Sequence, residues 1–133
     1  MSVLLDTHVV LWWQAGGERL SHRAAAAIET ADVILVSPLT AWEIATLHRR
    51  GRVELDRDPM TWVRDLVRAD RMAGAPLSAE AAAWAGTLDD AFPGDPIDRL
   101  LYATARDLRV SLISKDERLR DYAMSAGDVR VVW

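Results

Sequence analysis

Four carboxylates stand where the apolar pattern of this chain breaks off. Asp6 directly follows Val3, Leu4 and Leu5, and Asp116 closes "LISKD" behind another apolar run. Asp98 lies three positions beyond Asp95 and just inside Pro96, while Glu43 sits between Trp42 and Ile44 with Leu39 and Leu47 one turn to either side. Carboxylates gathered within a few ångströms raise one another's pKa unless a cation neutralises them. With oxygen donors, no cysteine and no histidine pair at ligand spacing, the ion that suits them is hard, Mg²⁺ or Mn²⁺ rather than zinc. Two such ions about 4 Å apart can activate a water and stabilise the leaving oxygen of an in-line phosphodiester displacement.

Each acid also has a structural reading. Asp6 can cap the helix beginning at His8, a contribution of about 1 kcal/mol. Asp95 and Asp98 have the spacing of a capping box, and Ser114 stands three before Glu117 in the same relation. Glu43, in mid-helix among apolar neighbours, needs a partner or a cation, and Arg49 or Arg50 is the ion-pair alternative.

The elements that must position these residues follow from the hydrophobic pattern. Short apolar runs at Val3 to Leu5, Val33 to Val36, Val110 to Ile113 and Val129 to Trp133, with a weaker one around Ala75 to Leu77, alternate with helical segments. Those segments are His8 to Gln14, Ser21 to about Glu29, Ser37 and Pro38 to near Gly51, a stretch from Pro59 whose Trp62, Leu66, Val67 and Met72 recur at helical spacing, Ser78 to Leu88, and Pro96 to Leu108. Strands that do not alternate in polarity, separated by helices, predict a parallel sheet covered on both faces. The expected fold is therefore a three-layer α/β domain of about five strands, a single unit over residues 1–133. In such a sheet the ligand crevice lies outside the carboxyl ends of the strands, where Asp6 and Asp116 fall.

Composition narrows the function. The chain is 50% hydrophobic with charges of both signs, which excludes disorder, and no apolar run approaches the roughly 20 residues of a membrane span. "MSVLLD" carries neither a basic leader nor a long apolar region, so no secretory signal is expected, and the lack of cysteine excludes a disulfide framework; a cytoplasmic location fits. The net charge of −4 argues against generic polyanion binding, so any contact with nucleic acid must be local or bridged by metal ions. "RRGR" at Arg49 to Arg52 reads as a helix C-terminus with a glycine stop, and His8, His22 and His48 read as surface residues. Trp12, Trp13, Trp42, Trp62 and Trp84 read mostly as core, with some left for a partner groove.

"LLDTHVVLWW", "VSPLTAWEIATLHRRGRVEL", "GDPIDRLLYATA" and "LISKDERLRDY", in that order and ending in "VRVVW", resemble the PIN-domain ribonucleases, specifically the VapC-like toxins of bacterial type II toxin-antitoxin modules. The resemblance implies a Mg²⁺- or Mn²⁺-dependent endoribonuclease whose metal-binding acids map onto Asp6, Glu43, Asp98 and Asp116. It also implies an RNA substrate, inhibition by a cognate antitoxin whose helix lies across a groove, and a homodimer. Thr7 and Ser114 would position a water or phosphate, with capping the alternative for Ser114, and Asp95 would orient the turn presenting Asp98 or act as its helix cap. Relatives commonly carry a polar residue before the "DPxDR" stretch, where this chain has Phe92, Pro93 and Gly94, a departure that touches substrate preference more than catalysis.

Three other readings compete. A catalytically silent PIN-like module would bind RNA or protein without cutting. A receiver-like regulatory module needs a paired acidic start where this chain has Asp6 alone, and a haloacid dehalogenase phosphatase needs a second Asp where His8 stands.

Overall fold

The computed structural model describes residues 1–133. Five short strands alternate with seven helices: β1 (Ser2–Leu5), α1 (Thr7–Gln14), α2 (His22–Thr30), β2 (Val33–Val36), α3 (Pro38–Arg49), α4 (Pro59–Arg68), β3 (Met72–Gly74), α5 (Ala79–Thr87), α6 (Pro96–Leu108), β4 (Ser111–Ile113), α7 (Glu117–Ala126) and β5 (Val131–Val132). The strands form one sheet in the order β3-β2-β1-β4-β5, and every pairing is parallel. Val3 lies opposite Ile34 on one side and Ser111 on the other, which makes β1 the central strand.

The period of two along each strand divides the core. Val3 and Leu5 of β1, Ile34 and Val36 of β2, and Ile113 of β4 face α1 to α4, where they pack with Val9, Val10, Ile28, Ile44 and Leu66. Leu4 and Leu112 face the opposite way, into a second cluster with Leu101, Tyr102, Leu119 and Ala123 from α6 and α7. Apolar on both faces, these strands read as continuous hydrophobic runs, as a parallel sheet requires. Helix starts follow local chemistry: Ser21, Ser37, Asp58, Ser78, Asp95 and Asp116 each cap the helix that follows, and Pro38, Pro59 and Pro96 supply the preset φ of a first turn. Helix α3 ends as its sequence predicts, with Gly51 in the left-handed region at φ 71°.

The third strand differs from expectation. The weak apolar run at Ala75 to Leu77 is not the strand; β3 is Met72–Gly74, and Met72 does not continue the preceding helix. Helix α4 ends at Arg68 with Ala69 extended, and Arg71, at φ 64°, turns the chain into β3 while its guanidinium donates to the carbonyls of Ile28, Glu29 and Ala31 at the end of α2. Ala75 still donates to Val36, and Pro76, lacking an N–H, ends the ladder there. The tryptophans divide: Trp13, Trp62 and Trp84 are half-buried and pack against the two core clusters, whereas Trp42 is 60% exposed. No helix is long and apolar enough to cross a membrane.

Candidate active site

The sheet edge formed by the carboxyl ends of β1 and β4 is where the crossover changes direction, because β1 has β2 on one side and β4 on the other. The Asp6 N–H donates to the Ile113 carbonyl at 3.0 Å and the Ser114 N–H to the Val132 carbonyl at 3.1 Å, so both residues are held at that edge by the ladder. A cavity of about 520 Å³ opens above it, and Asp6, Glu43, Asp98 and Asp116 all line it. They arrive from four segments: the end of β1, the second turn of α3, the first turn of α6, and the residue that caps α7.

Each acid is oriented by a hydrogen bond of its own. Asp6 is 6% exposed, accepting at one oxygen from the Thr7 N–H at 2.8 Å and at the other from the Ser114 hydroxyl at 2.7 Å. The Ser114 hydroxyl in turn accepts from the Asp116 N–H at 3.2 Å, which joins the two strand ends. The buried Thr7 hydroxyl donates to Glu43 and lies 3.2 Å from the Thr40 hydroxyl, which can donate to it. Asp95 and Asp98 exchange backbone bonds in a capping box, 2.9 Å from the Asp98 N–H to Asp95 and 3.2 Å from the Asp95 N–H to Asp98. Asp116 accepts from the N–H groups of Arg118 at 3.0 Å and Leu119 at 3.4 Å.

The approach of Asp98 depends on a glycine. A Cβ placed on Gly94 would lie 2.4 Å from the Asp98 Cβ, 2.9 Å from the Phe92 ring and 3.0 Å from an Asp98 carboxylate oxygen. The "FPG" departure therefore has a local consequence: buried Phe92 and the bare backbone of Gly94 form the wall against which Asp98 rests. Arg99 secures the same loop by donating to the carbonyls of Leu88 at 2.6 Å and Asp89 at 3.0 Å.

Electrostatics register the crowding. Burial, reinforced by Asp95, Asp6 and Asp116, pushes the Asp98 carboxyl up to about 7. Burial also raises Glu43, with Asp6 and Asp95 adding to the effect and the Thr7 hydroxyl opposing it. As the side chains stand, no three carboxylates or imidazoles are gathered tightly enough to enclose an ion. The donor set is nonetheless one of hard oxygens on separate segments around one cavity, and the strain of like charge is of the kind a cation relieves.

Several expected roles are corrected by these contacts. Ser114 does not cap α7: Asp116 does, because its side chain reaches the first-turn N–H groups while the Ser114 hydroxyl turns inward to Asp6. Glu43 pairs with Thr7 rather than with Arg49 or Arg50, which lie at the far end of α3. Thr7 lines the cavity, and its hydroxyl proton goes to Glu43, so it supports that acid. Asp95 stays outside the cavity as expected: as the cap of α6 it accepts from the Asp98 N–H and holds the turn that presents that acid.

His8 is the residue that sequence reasoning missed. It is half-buried and lines the cavity, its Nε2 accepting from the Lys115 N–H at 3.0 Å and its Nδ1 lying 3.6 Å from Asp6. Burial lowers its pKa despite the two neighbouring aspartates, so its neutral form is favoured, as acceptance from Lys115 requires. The available signal was its position two residues beyond Asp6, in a first helical turn that starts at the strand end.

Comparison with known proteins places these features in a family. Residues 3–124 match the PIN domain. The chain is 41% identical over 121 residues to Ribonuclease VapC22 of Mycobacterium tuberculosis, covering 91% of this chain and 92% of that protein. Its backbone resembles VapBC2 from Rickettsia felis bound to a DNA fragment from its promoter, with a TM-score of 0.66 at 11% identity and 98% and 97% of the two chains covered. It also resembles Mycobacterium tuberculosis VapC20, a Sarcin-Ricin loop cleaving toxin, with a TM-score of 0.61 at 16% identity and 97% and 98% covered. At these identities the structural likenesses speak for the fold.

Proposed function

The chain belongs to the PIN-domain family, with VapC ribonucleases among its relatives, and from that premise we propose that it is an endoribonuclease toxin held in check by a partner antitoxin. The observation that carries the reading is the convergence of Asp6, Glu43, Asp98 and Asp116 from four segments onto one cavity at the topological switch of a parallel sheet. All four are assigned to one site that binds Mg²⁺ or Mn²⁺ and RNA phosphate. A divalent ion supplies Lewis acidity toward a phosphodiester and a water, chemistry that suits oxygen donors and overcomes the repulsion between an acidic protein and RNA.

The chain's own residues divide the remaining work. Asp6 and Asp116, tied through Ser114, present oxygens from the two central strand ends and set the floor of the site. Glu43, held by Thr7, and Asp98, backed by Gly94, face the cavity from α3 and α6. Asp98, with its carboxyl pushed up to about 7, is the acid best suited to hold or release a proton near neutrality when no cation is bound. His8 orients the Lys115 backbone and stands beside Asp6, a supporting position. A partner antitoxin and a homodimeric toxin belong to the same proposal; light scattering of the chain with and without its partner tests both statements.

The deciding experiment is incubation of the purified chain, freed of partner, with a structured RNA pool across a Mg²⁺ and Mn²⁺ titration. Cleavage that requires the metal and stops in EDTA is expected. Intact RNA at every metal concentration, with RNA still bound, would establish the silent binding module instead.

A further inference from the structure

The cavity has a second kind of wall that the carboxylates do not explain. Trp12, on α1, lines it beside His8 and Lys115, and the same indole lines an adjoining groove toward Arg19, Leu55 and Trp62. The Arg19 guanidinium lies 4.1 Å from the Trp12 ring centroid and the Lys115 ammonium 5.4 Å from it. Both side chains are exposed, and neither makes a hydrogen bond or ion pair with any carboxylate, although the chain holds 20 Asp and Glu. The neighbouring rings do not stack on the indole: His8 and Trp133 are each inclined to it by 59°.

A second tryptophan in the same protein shows what a closed arrangement looks like. Trp84 also has a guanidinium over it, that of Arg106 at 4.2 Å, but Arg106 is paired with Asp128 at 3.5 Å and Tyr102 lies nearly parallel to the indole at 12°. Trp84 is satisfied from within, whereas the cations over Trp12 have no anionic partners and the rings beside it are inclined to it. A flat π-face beside two free positive charges, opening onto a site for phosphodiester chemistry, matches an unpaired nucleotide, with the base on the ring and the flanking phosphates on the cations.

We propose that Trp12, with Arg19 and Lys115, is a nucleobase-stacking subsite next to the carboxylates, so that the cut falls beside a base that rests on this indole. The inference rests on the ribonuclease reading and deepens it by naming the residues that hold the base. A paired base shows no free face to the ring, so duplex RNA is excluded at this position and loops or unpaired ends are selected. Arg19 and Lys115 swing off the indole as the base arrives, and the negative net charge of −4 is offset locally without a wider basic surface.

The test uses the purified chain and a short unstructured oligoribonucleotide, compared with versions carrying one abasic nucleotide at each position in turn. Cleavage is read as KM and kcat, and binding is read separately by anisotropy of the labelled oligonucleotide. In the wild type, one abasic position should raise KM about 10- to 100-fold with kcat little changed, as the loss of one stacked base predicts. Trp12→Leu should show the same loss on the intact oligonucleotide and no further loss on the abasic one, and Trp12→Tyr should restore most of the affinity. The abasic arm needs no substitution in the protein, so it stands even where Trp12→Leu folds poorly. An abasic nucleotide that is harmless at every position, or that costs wild type and Trp12→Leu equally, would overturn the subsite. Binding that depends on Trp12 without any cleavage would instead uphold the subsite and overturn the ribonuclease reading.

Discussion

Replacing Asp98 by Asn should stabilise the metal-free protein at alkaline pH while abolishing cleavage. The Asp98 carboxyl is pushed from its ordinary 3.8 up to about 7 by burial and by Asp95, Asp6 and Asp116. Its folded pKa lies above its unfolded one, so the folded state holds the proton more tightly. Below about 4 both states are protonated and no penalty exists; the penalty grows as pH rises through the window from 3.8 to about 7 and is complete above it. At about 1.4 kcal/mol per tenfold change the full difference is about 4 kcal/mol, which partial exposure and solvent screening reduce to about 1–2 kcal/mol. Asn keeps the volume and an oxygen that can accept from the Asp95 N–H, so the capping box survives. Thermal unfolding in EDTA should therefore show Asp98→Asn melting about 3–8 °C above the wild type at pH 8, with the gap mostly closed at pH 4.5. Added Mg²⁺ should raise the wild-type midpoint and leave the variant almost unmoved. A variant no more stable than wild type at pH 8 would refute the claim that like-charge crowding and burial act on this carboxyl.

Three further perturbations probe its neighbours. Gly94→Ala forces a Cβ to within 2.4 Å of Asp98 and should cost about 1–3 kcal/mol in denaturant unfolding with at least a tenfold fall in cleavage, whereas Gly86→Ala, with nothing within 4 Å, should leave cleavage unchanged. Ser114→Ala removes the hydroxyl from Asp6 and should lower stability by about 1–3 kcal/mol and weaken Mg²⁺ binding by calorimetry; unaltered metal affinity would make Ser114 a packing residue only. Thr7→Val removes the donor that favours ionised Glu43, so the Glu43 pKa should rise further and the acid limb of the cleavage profile should move to higher pH. An unmoved limb would take Glu43 out of the rate-determining ionisation.

Much of this arrangement was legible in the chain because it depends on local chemistry. Val3 to Leu5 and Val33 to Val36 are apolar on both faces, which only a doubly covered parallel sheet accommodates, and Ser37 with Pro38 and Asp95 with Pro96 announce their helices. Asp6 at a strand end already stood at the crevice of such a sheet. What was not legible depends on contacts between distant residues. The His8 to Lys115 bond joins positions 107 apart and the Ser114 to Asp6 bond positions 108 apart, and no local pattern distinguishes them from capping. Met72 was hidden for a different reason: the left-handed Arg71 that turns the chain into β3 is held by carbonyls of α2, about 40 residues earlier. The size of an indole does not tell which ones the core takes: Trp13, Trp62 and Trp84 pack against it, whereas Trp42 lies exposed on α3.

The central claim is that carboxylates from four segments act as one cation site. Titration of Mn²⁺ into the purified chain, followed by electron paramagnetic resonance, tests it without reference to any RNA. Saturable binding that Mg²⁺ displaces, and that Asp6→Asn reduces by at least tenfold while the fold persists, is the predicted result. Equal Mn²⁺ binding by wild type and Asp6→Asn would contradict it, and would return Asp6 to the role of a helix cap.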